Sequence, residues 1–243
     1  MDYWSALTRD ATHIEKQTNA GCTTEVTLLK DAFNLYADAF VAIPTTGTGP
    51  ALAARLAILS QALNSFRVMV SSSLQGFYLQ ALIPLRHAFE GWLSFWYLAK
   101  HPEDAERWIN PTWQMRPPKV ETMVNKMDHP AKLMKSRIRD FHDELNRFAH
   151  IDPVAILSRL HQEEDKTYVG VGIRYSPHHF QSCSYGMLIS LGNYLDAASS
   201  IIPPGSQWHQ QYPAVEARIL RFLGSQAPPE PPPSSPPAET DAA

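Results

Sequence analysis

The chain has 243 residues, of which 44% are hydrophobic and 19% are charged, so it is long enough to bury a sizeable core without disulfides or metals. The net charge is -3 with the ten histidines counted as neutral, which excludes a strong overall attraction to nucleic acid or to an anionic membrane. The two cysteines, Cys22 and Cys183, form no Cys-x-x-Cys motif, and we expect free thiols in a reducing compartment.

Apolar residues recur at spacings of three and four through the first half of the chain, which predicts amphipathic helices. The first helix is predicted over about residues 3–19, with Gly21 ending it. Thr23 or Thr24 is predicted to cap the second helix. A third helix begins near Pro50, which is a favourable first-turn residue.

The fourth helix, predicted over about residues 74–100, is apolar around most of its circumference, so it has to be surrounded by other elements. Arg86 and Glu90 lie within it, and a charged pair at this position is costly in a bilayer. We therefore predict a buried central helix, no membrane association and a cytoplasmic protein. Its apolar residues are Leu74, Phe77, Tyr78, Ala81, Leu82, Leu85, Phe89, Trp92, Leu93, Trp96 and Tyr97.

The second half continues with a strongly amphipathic helix that begins at Pro130. Residues 167–175 then alternate, with β-branched and aromatic side chains, and predict a short extended segment or β-hairpin. Pro177 opens another long helix, and a last helix is predicted over residues 208–223.

These elements predict an all-α fold, a multi-helix bundle around the central helix with a short hairpin near residues 167–175. Residues 1–226 are assigned to a single helical domain. Residues 227–243 contain seven prolines among small and acidic residues, and we predict a disordered tail with polyproline II character.

Common catalytic and cofactor motifs do not occur in the sequence. It has no Gly-rich phosphate loop, no Gly-x-Ser-x-Gly elbow, no His-Glu-x-x-His and no Cys/His group at zinc-ligand spacing. No cofactor and no metal are therefore predicted.

Two sets of polar residues remain as candidates. Arg86 and Glu90 are four apart on the central helix, so they share a face, and buried charges have to be paired. His142, Asn146 and His150 also recur every four residues, on the helix that follows Pro130.

If the two helices pack together, the Arg/Glu pair meets the His/Asn/His row in a cleft, which Arg139 and Arg147 flank. Arginine can stabilise a phosphate or an oxyanion, and histidine can act as a general acid or base near neutral pH. The alternative is that Arg86 and Glu90 form an ion pair that only specifies the fold.

Residues 82–90 (Leu-Ile-Pro-Leu-Arg-His-Ala-Phe-Glu) and residues 144–150 (Glu-Leu-Asn-Arg-Phe-Ala-His) resemble HEPN-like all-α bacterial proteins. The resemblance covers roughly residues 52–200. That superfamily includes metal-independent endoribonucleases of toxin–antitoxin and phage-defence systems.

The resemblance implies a mechanism and an assembly. His150 or His142 would activate the ribose 2′-hydroxyl, Arg86 or Arg147 would stabilise the transition state, and Glu90 would orient the arginine. A homodimer is implied because sites of this kind are often completed across a dimer.

Three functions stay open, and with them whether the chain is an enzyme. The first is a non-catalytic helical interaction or regulatory protein of a bacterial or phage defence or toxin–antitoxin-like system, with a protein partner. The second is a HEPN-like endoribonuclease acting on RNA. The third is a small-molecule-binding bundle with Trp92 and Trp96 in a pocket wall. The candidate catalytic residues are Arg86, Glu90, Asn146, Arg147 and His150.

Overall fold

The structure is a computed structural model, and it describes residues 2–44, 49–109, 118–126, 132–149, 160–163, 166–169 and 173–226. Within these ranges the protein is an all-α bundle, as predicted, with one small hairpin. The predicted tail, residues 227–243, lies outside the described residues, as does His150.

The described elements follow one another along the chain, and most are long helices. They are α1 (Tyr3–Gly21), α2 (Thr23–Ala42), α3 (Pro50–Leu74), α4 (Tyr78–Lys100), a 3-10 turn (Pro102–Asp104), α5 (Ala105–Ile109), α6 (Val120–Lys126), α7 (Lys132–Ala149), β1 (Leu160–Glu163), β2 (Lys166–Val169), α8 (Pro177–Ser199) and α9 (Gln207–Gln226).

The junction between α1 and α2 corrects the predicted cap. Helix α1 ends at Gly21, as predicted, but α2 begins at Thr23 with Cys22 as its N-cap and without a side-chain cap bond. The Thr23 hydroxyl donates instead to the carbonyl of Asn19 at 3.2 Å. A single residue separates the two helices, so this hydroxyl satisfies a carbonyl at the end of α1 rather than an N–H of α2.

The start of the central helix is also corrected. Helix α3 continues through the three serines to Leu74, and α4 begins only at Tyr78. Gly76 between them has a φ of +84°. The N–H of Phe77 donates to the carbonyl of Ser72 at 2.9 Å, and the N–H of Gly76 donates to that of Ser73 at 3.2 Å. This is a Schellman helix end, and the apolar pattern runs through it without a break.

The hairpin lies earlier than the prediction of residues 167–175. Strands β1 and β2 pair antiparallel, with Leu160 opposite Val169 and Glu163 opposite Lys166. Among its described residues, the alternating segment supplies part of β2, and the paired strand β1 precedes it. Residues 173–176 have no regular structure and lead into α8, with the N–H of Ser176 donating to the Tyr78 hydroxyl at 2.9 Å.

Helix α4 is central, as predicted, and packs against α3, α6, α7 and α8. Helix α2 packs mainly on α8 and α9.

The core between these helices contains two fully buried tyrosines, and each donates a hydrogen bond to a helix carbonyl. Tyr194 donates to Ala88 at 2.6 Å and Tyr36 donates to Leu59 at 2.7 Å, and their rings are 5.6 Å apart.

Candidate functional site

Arg86 and Glu90 form the predicted ion pair one turn apart on α4. The Arg86 Nε donates to Glu90 Oε1 at 3.0 Å. Their side chains are 26% and 29% exposed, so the pair is half-buried at the surface of the bundle and is not sealed in the core.

Helix α7 brings His142 to the same carboxylate. His142 Nε2 lies 3.3 Å from Glu90 Oε1, and its side chain is 15% exposed. Ile138 and Leu145, which are buried in the core, lie four residues before and three after His142 on the same face of α7. The ring of Phe89 stacks beside the imidazole with the ring centres 6.2 Å apart, so packing on both helices fixes its position.

Asn146 lies one turn beyond His142 on α7. Its Nδ2 is 3.4 Å from His142 Nδ1, which is long for a hydrogen bond. Its Oδ1 is buried and has no hydrogen-bond partner within the described part of the chain. An unpaired buried acceptor is costly, so this atom calls for an explanation.

Arg86, Glu90 and His142 line a cleft of about 590 Å³ between α4, α6 and α7. Helix α6 forms the opposite wall, where Met123 and Val124 are buried and the Met123 sulfur accepts a hydrogen bond from Ser94 at 3.7 Å. The described lining consists of Arg86, Glu90, Ser94, Pro118, Lys119, Val120, Glu121, Met123, Arg139, His142 and Asp143.

The charges around the cleft nearly balance. Besides His142, its described lining has the cations Arg86, Lys119 and Arg139 and the acids Glu90, Glu121 and Asp143. Attraction of an anionic group therefore depends on the local position of Arg86 and not on a strong overall field.

The structure brings together most of the residues singled out in the sequence. Arg86, Glu90, His142 and Asn146 form one contiguous network. Both Arg139 and Arg147 were expected to flank the cleft. Arg139 is part of its described lining, whereas Arg147 is exposed on α7 and is not. His150 lies outside the described residues.

The α6 wall was missed, because no spacing in the sequence links residues 118–121 to Arg86. Arg139, by contrast, is three residues before His142 and so shares its face. The Nη2 of Arg139 donates to Asn125 Oδ1 at 2.7 Å, which joins α7 to α6.

Three other predictions concern a pocket wall, metal binding and membrane-spanning helices. Trp92, expected in a pocket wall, is buried and packs on Phe89 with ring centres 5.8 Å apart. In the described ranges no group of three or more His, Cys, Asp or Glu side chains could hold a metal ion. No helix among the described residues is long and apolar enough to cross a bilayer.

Comparisons of the chain with protein-family models, with curated proteins and with solved structures find no match. The function is therefore inferred from the geometry of the cleft.

Proposed function

We propose that the cleft is a metal-independent site that cleaves RNA by acid–base chemistry. The observation that carries this proposal is the shared carboxylate. Glu90 Oε1 contacts Arg86 Nε at 3.0 Å and His142 Nε2 at 3.3 Å, at the edge of an open cleft. A carboxylate that orients a histidine beside a cation is a common arrangement in acid–base catalysis.

His142 is the base in this proposal. An ionised carboxylate only accepts hydrogen bonds, so the imidazole nitrogen that faces Glu90 carries the proton. Nδ1 of the neutral ring then has the lone pair, and it can accept a proton from a ribose 2′-hydroxyl that displaces the long 3.4 Å contact with Asn146 Nδ2. The resulting imidazolium is stabilised by Glu90.

Arg86 stabilises the charge that develops on the phosphate. A guanidinium at the edge of a cleft binds phosphoryl oxygens with directed, charge-assisted hydrogen bonds. Its contact with Glu90 fixes the direction of the side chain, so less entropy is lost when a phosphate binds.

The bond changes follow the usual course of RNA transesterification. The 2′-oxygen forms a bond to phosphorus while the bond from phosphorus to the 5′-oxygen breaks. The proton taken up by His142 passes to the leaving 5′-oxygen, which restores the neutral imidazole. The products are a 2′,3′-cyclic phosphate and a 5′-hydroxyl.

The test is an RNA cleavage assay in EDTA with total RNA and tRNA, comparing the wild type with His142→Asn and Arg86→Lys. We expect cleavage to fall at least ~100-fold for His142→Asn because the base is lost. For Arg86→Lys we expect a loss of roughly 100-fold, because an ammonium does not replace the planar fork of donors.

His87→Asn is the matched control, since His87 is exposed on the same helix, and it should cleave at the wild-type rate. Circular dichroism establishes that each variant is folded. A wild type that cleaves neither RNA, or a His142→Asn variant as active as the wild type, would refute the proposed site.

A second function is favoured by the same contacts. Arg86, Glu90 and His142 already satisfy one another, so the network can serve only to hold α7 on α4 in a non-catalytic interaction protein. In that case His142→Ala lowers the free energy of unfolding by about 1 kcal/mol, through the lost hydrogen bond, and wild-type protein leaves RNA intact.

A further inference from the structure

We infer that Asn146 is a positioning residue that supports His142 in both of its protonation states, first as a donor and then as an acceptor. Its part in RNA cleavage rests on the function proposed above. The hydrogen-bond geometry does not rest on that function, and the two can be tested separately.

The first step fixes the tautomer of the resting imidazole. Glu90 accepts from Nε2, so the neutral ring has no proton on Nδ1. The group opposite Nδ1 must then be a donor, and the Asn146 Nδ2 lies there at 3.4 Å. The Asn146 amide therefore faces the ring with its nitrogen in the resting state.

The second step concerns the other half of the amide. Asn146 Oδ1 is buried without a partner within the described residues. When Nδ1 takes up a proton it becomes a donor, and rotation of the amide by half a turn places Oδ1 against it. The unpaired acceptor of the resting state gains a hydrogen bond in the imidazolium state, while Nδ2 moves to the position that Oδ1 held.

Other charged groups near the ring do not replace this role. Glu90, itself paired with Arg86, faces Nε2. Asp143 Oδ1 is 3.8 Å from Nδ1, but that side chain is 79% exposed and can turn into solvent. Phe89 stacks on the ring and offers no polar atom. Asparagine can donate and accept at one position, whereas aspartate only accepts and leucine does neither.

The experiment uses the full chain with ¹⁵N-labelled histidine and long-range ¹H–¹⁵N spectra at about pH 8, where a histidine in water is neutral. The His142→Asn variant assigns the signals. For the wild type we expect a proton on Nε2 and none on Nδ1. For Asn146→Asp we expect a proton on Nδ1, because the carboxylate that then faces this nitrogen only accepts hydrogen bonds.

Asn64→Asp is the matched control because Asn64 is exposed on α3, and it should keep the wild-type nitrogen signals. Asn146→Leu should keep the proton on Nε2 through Glu90. Both Asn146 variants should lose at least ~10-fold in RNA cleavage, as expected when the orientation of a catalytic base is disturbed.

The outcomes separate the two ideas. An Asn146→Asp protein whose Nδ1 stays unprotonated overturns the inference whether or not RNA is cleaved. The expected nitrogen signals in a protein that does not cleave RNA leave Asn146 as the partner of His142 and refute the ribonuclease. If Asn146→Leu is folded and cleaves at the wild-type rate, the positioning role in cleavage is wrong.

Discussion

Gly76 and Gly205 both have a positive φ, of +84° and +81°, but their surroundings differ. A Cβ added at Gly76 would lie 2.7 Å from the backbone oxygen of Arg174 and 3.2 Å from a methyl group of Ile14. A Cβ added at Gly205 would meet nothing within 4 Å. The first glycine therefore allows a close approach of residues 173–176 as well as a left-handed turn.

Comparing Gly76 with Gly205 separates the cost of backbone strain from the cost of a steric clash. Gly205→Ala should cost about 1–2 kcal/mol of unfolding free energy through backbone strain alone. Gly76→Ala should cost about 2–5 kcal/mol because the clash with Arg174 adds to the same strain. Urea denaturation followed by circular dichroism gives both values, and equal costs would show that the approach of Arg174 contributes nothing.

At the scale of one residue, the sequence predicts the pairs that lie within a helix. Arg86 and Glu90 are four apart, and so are His142 and Asn146, so helical geometry alone makes each pair neighbours. The contact between Glu90 and His142 required the further condition that α4 and α7 pack together. The unpaired oxygen of Asn146 could not be predicted, since it depends on burial by groups distant in the chain.

At the scale of elements, α9 is held on α2 by two polar contacts of different kinds. The Trp208 Nε1 donates to the carbonyl of Leu35 at 2.8 Å in a buried site. Arg218 Nη1 lies 2.6 Å from Asp31 Oδ2, with side chains 43% and 39% exposed. Solvent screens the second contact and not the first.

We expect the buried contact to be the stronger of the two. Trp208→Phe should lower the unfolding free energy by about 1–3 kcal/mol, through the lost hydrogen bond and the loss of packing. Arg218→Ala should lower it by about 0.2–1 kcal/mol, and less in high salt. Urea denaturation at two salt concentrations checks both. A larger effect for Arg218→Ala would contradict this ranking.

Elements with a clear apolar period were predicted close to their observed bounds, as for α1 and for the start of α3 at Pro50. The end of α3 was not, because its apolar period continues into α4 and only the Gly76 backbone marks the turn. The hairpin was displaced because β1 (Leu-His-Gln-Glu) has no β-branched or aromatic residue to indicate a strand, whereas β2 (Lys-Thr-Tyr-Val) has three.

At the scale of the whole molecule, buried ionisable groups make stability depend on alkaline pH. Burial raises the pKa of the Cys183 thiol to about 12. Burial, and then the hydrogen bond to Asp104, raises the pKa of Tyr97 to about 12. Burial also raises the pKa values of Tyr36 and Tyr194 above the usual value. In each case the folded state retains a proton that the unfolded chain releases.

Because the folded state retains these protons, the unfolding free energy decreases as pH rises. The stabilisation is complete below the unfolded-state pKa values, about 8.5 for a thiol and about 10 for tyrosine. It is lost as pH rises above them, so the unfolding free energy should fall from about pH 9 and more steeply above about pH 10.

Urea denaturation between about pH 8 and pH 11 measures the slope. Cys183→Ala should reduce the fall below pH 10, and Tyr194→Phe should reduce it above pH 10, because each removes one group that the folded state keeps protonated. Tyr3→Phe, at an exposed position, controls for the loss of a tyrosine. An unfolding free energy that stays constant over this range would contradict the prediction.

The order of elements along the chain has a consequence for synthesis on the ribosome. Helices α3 and α4 are neighbours in sequence and pack on each other through the Schellman turn, so they can pair as soon as both have emerged. Helix α2 packs mainly on α8 and α9, which are translated more than a hundred residues later. At a translation rate of ~5–20 residues per second, the apolar face of α2 stays without its packing partners for several seconds or longer. A nascent chain halted before Pro177 should therefore bind chaperones that recognise apolar helices, and a chain released after Gln226 should not.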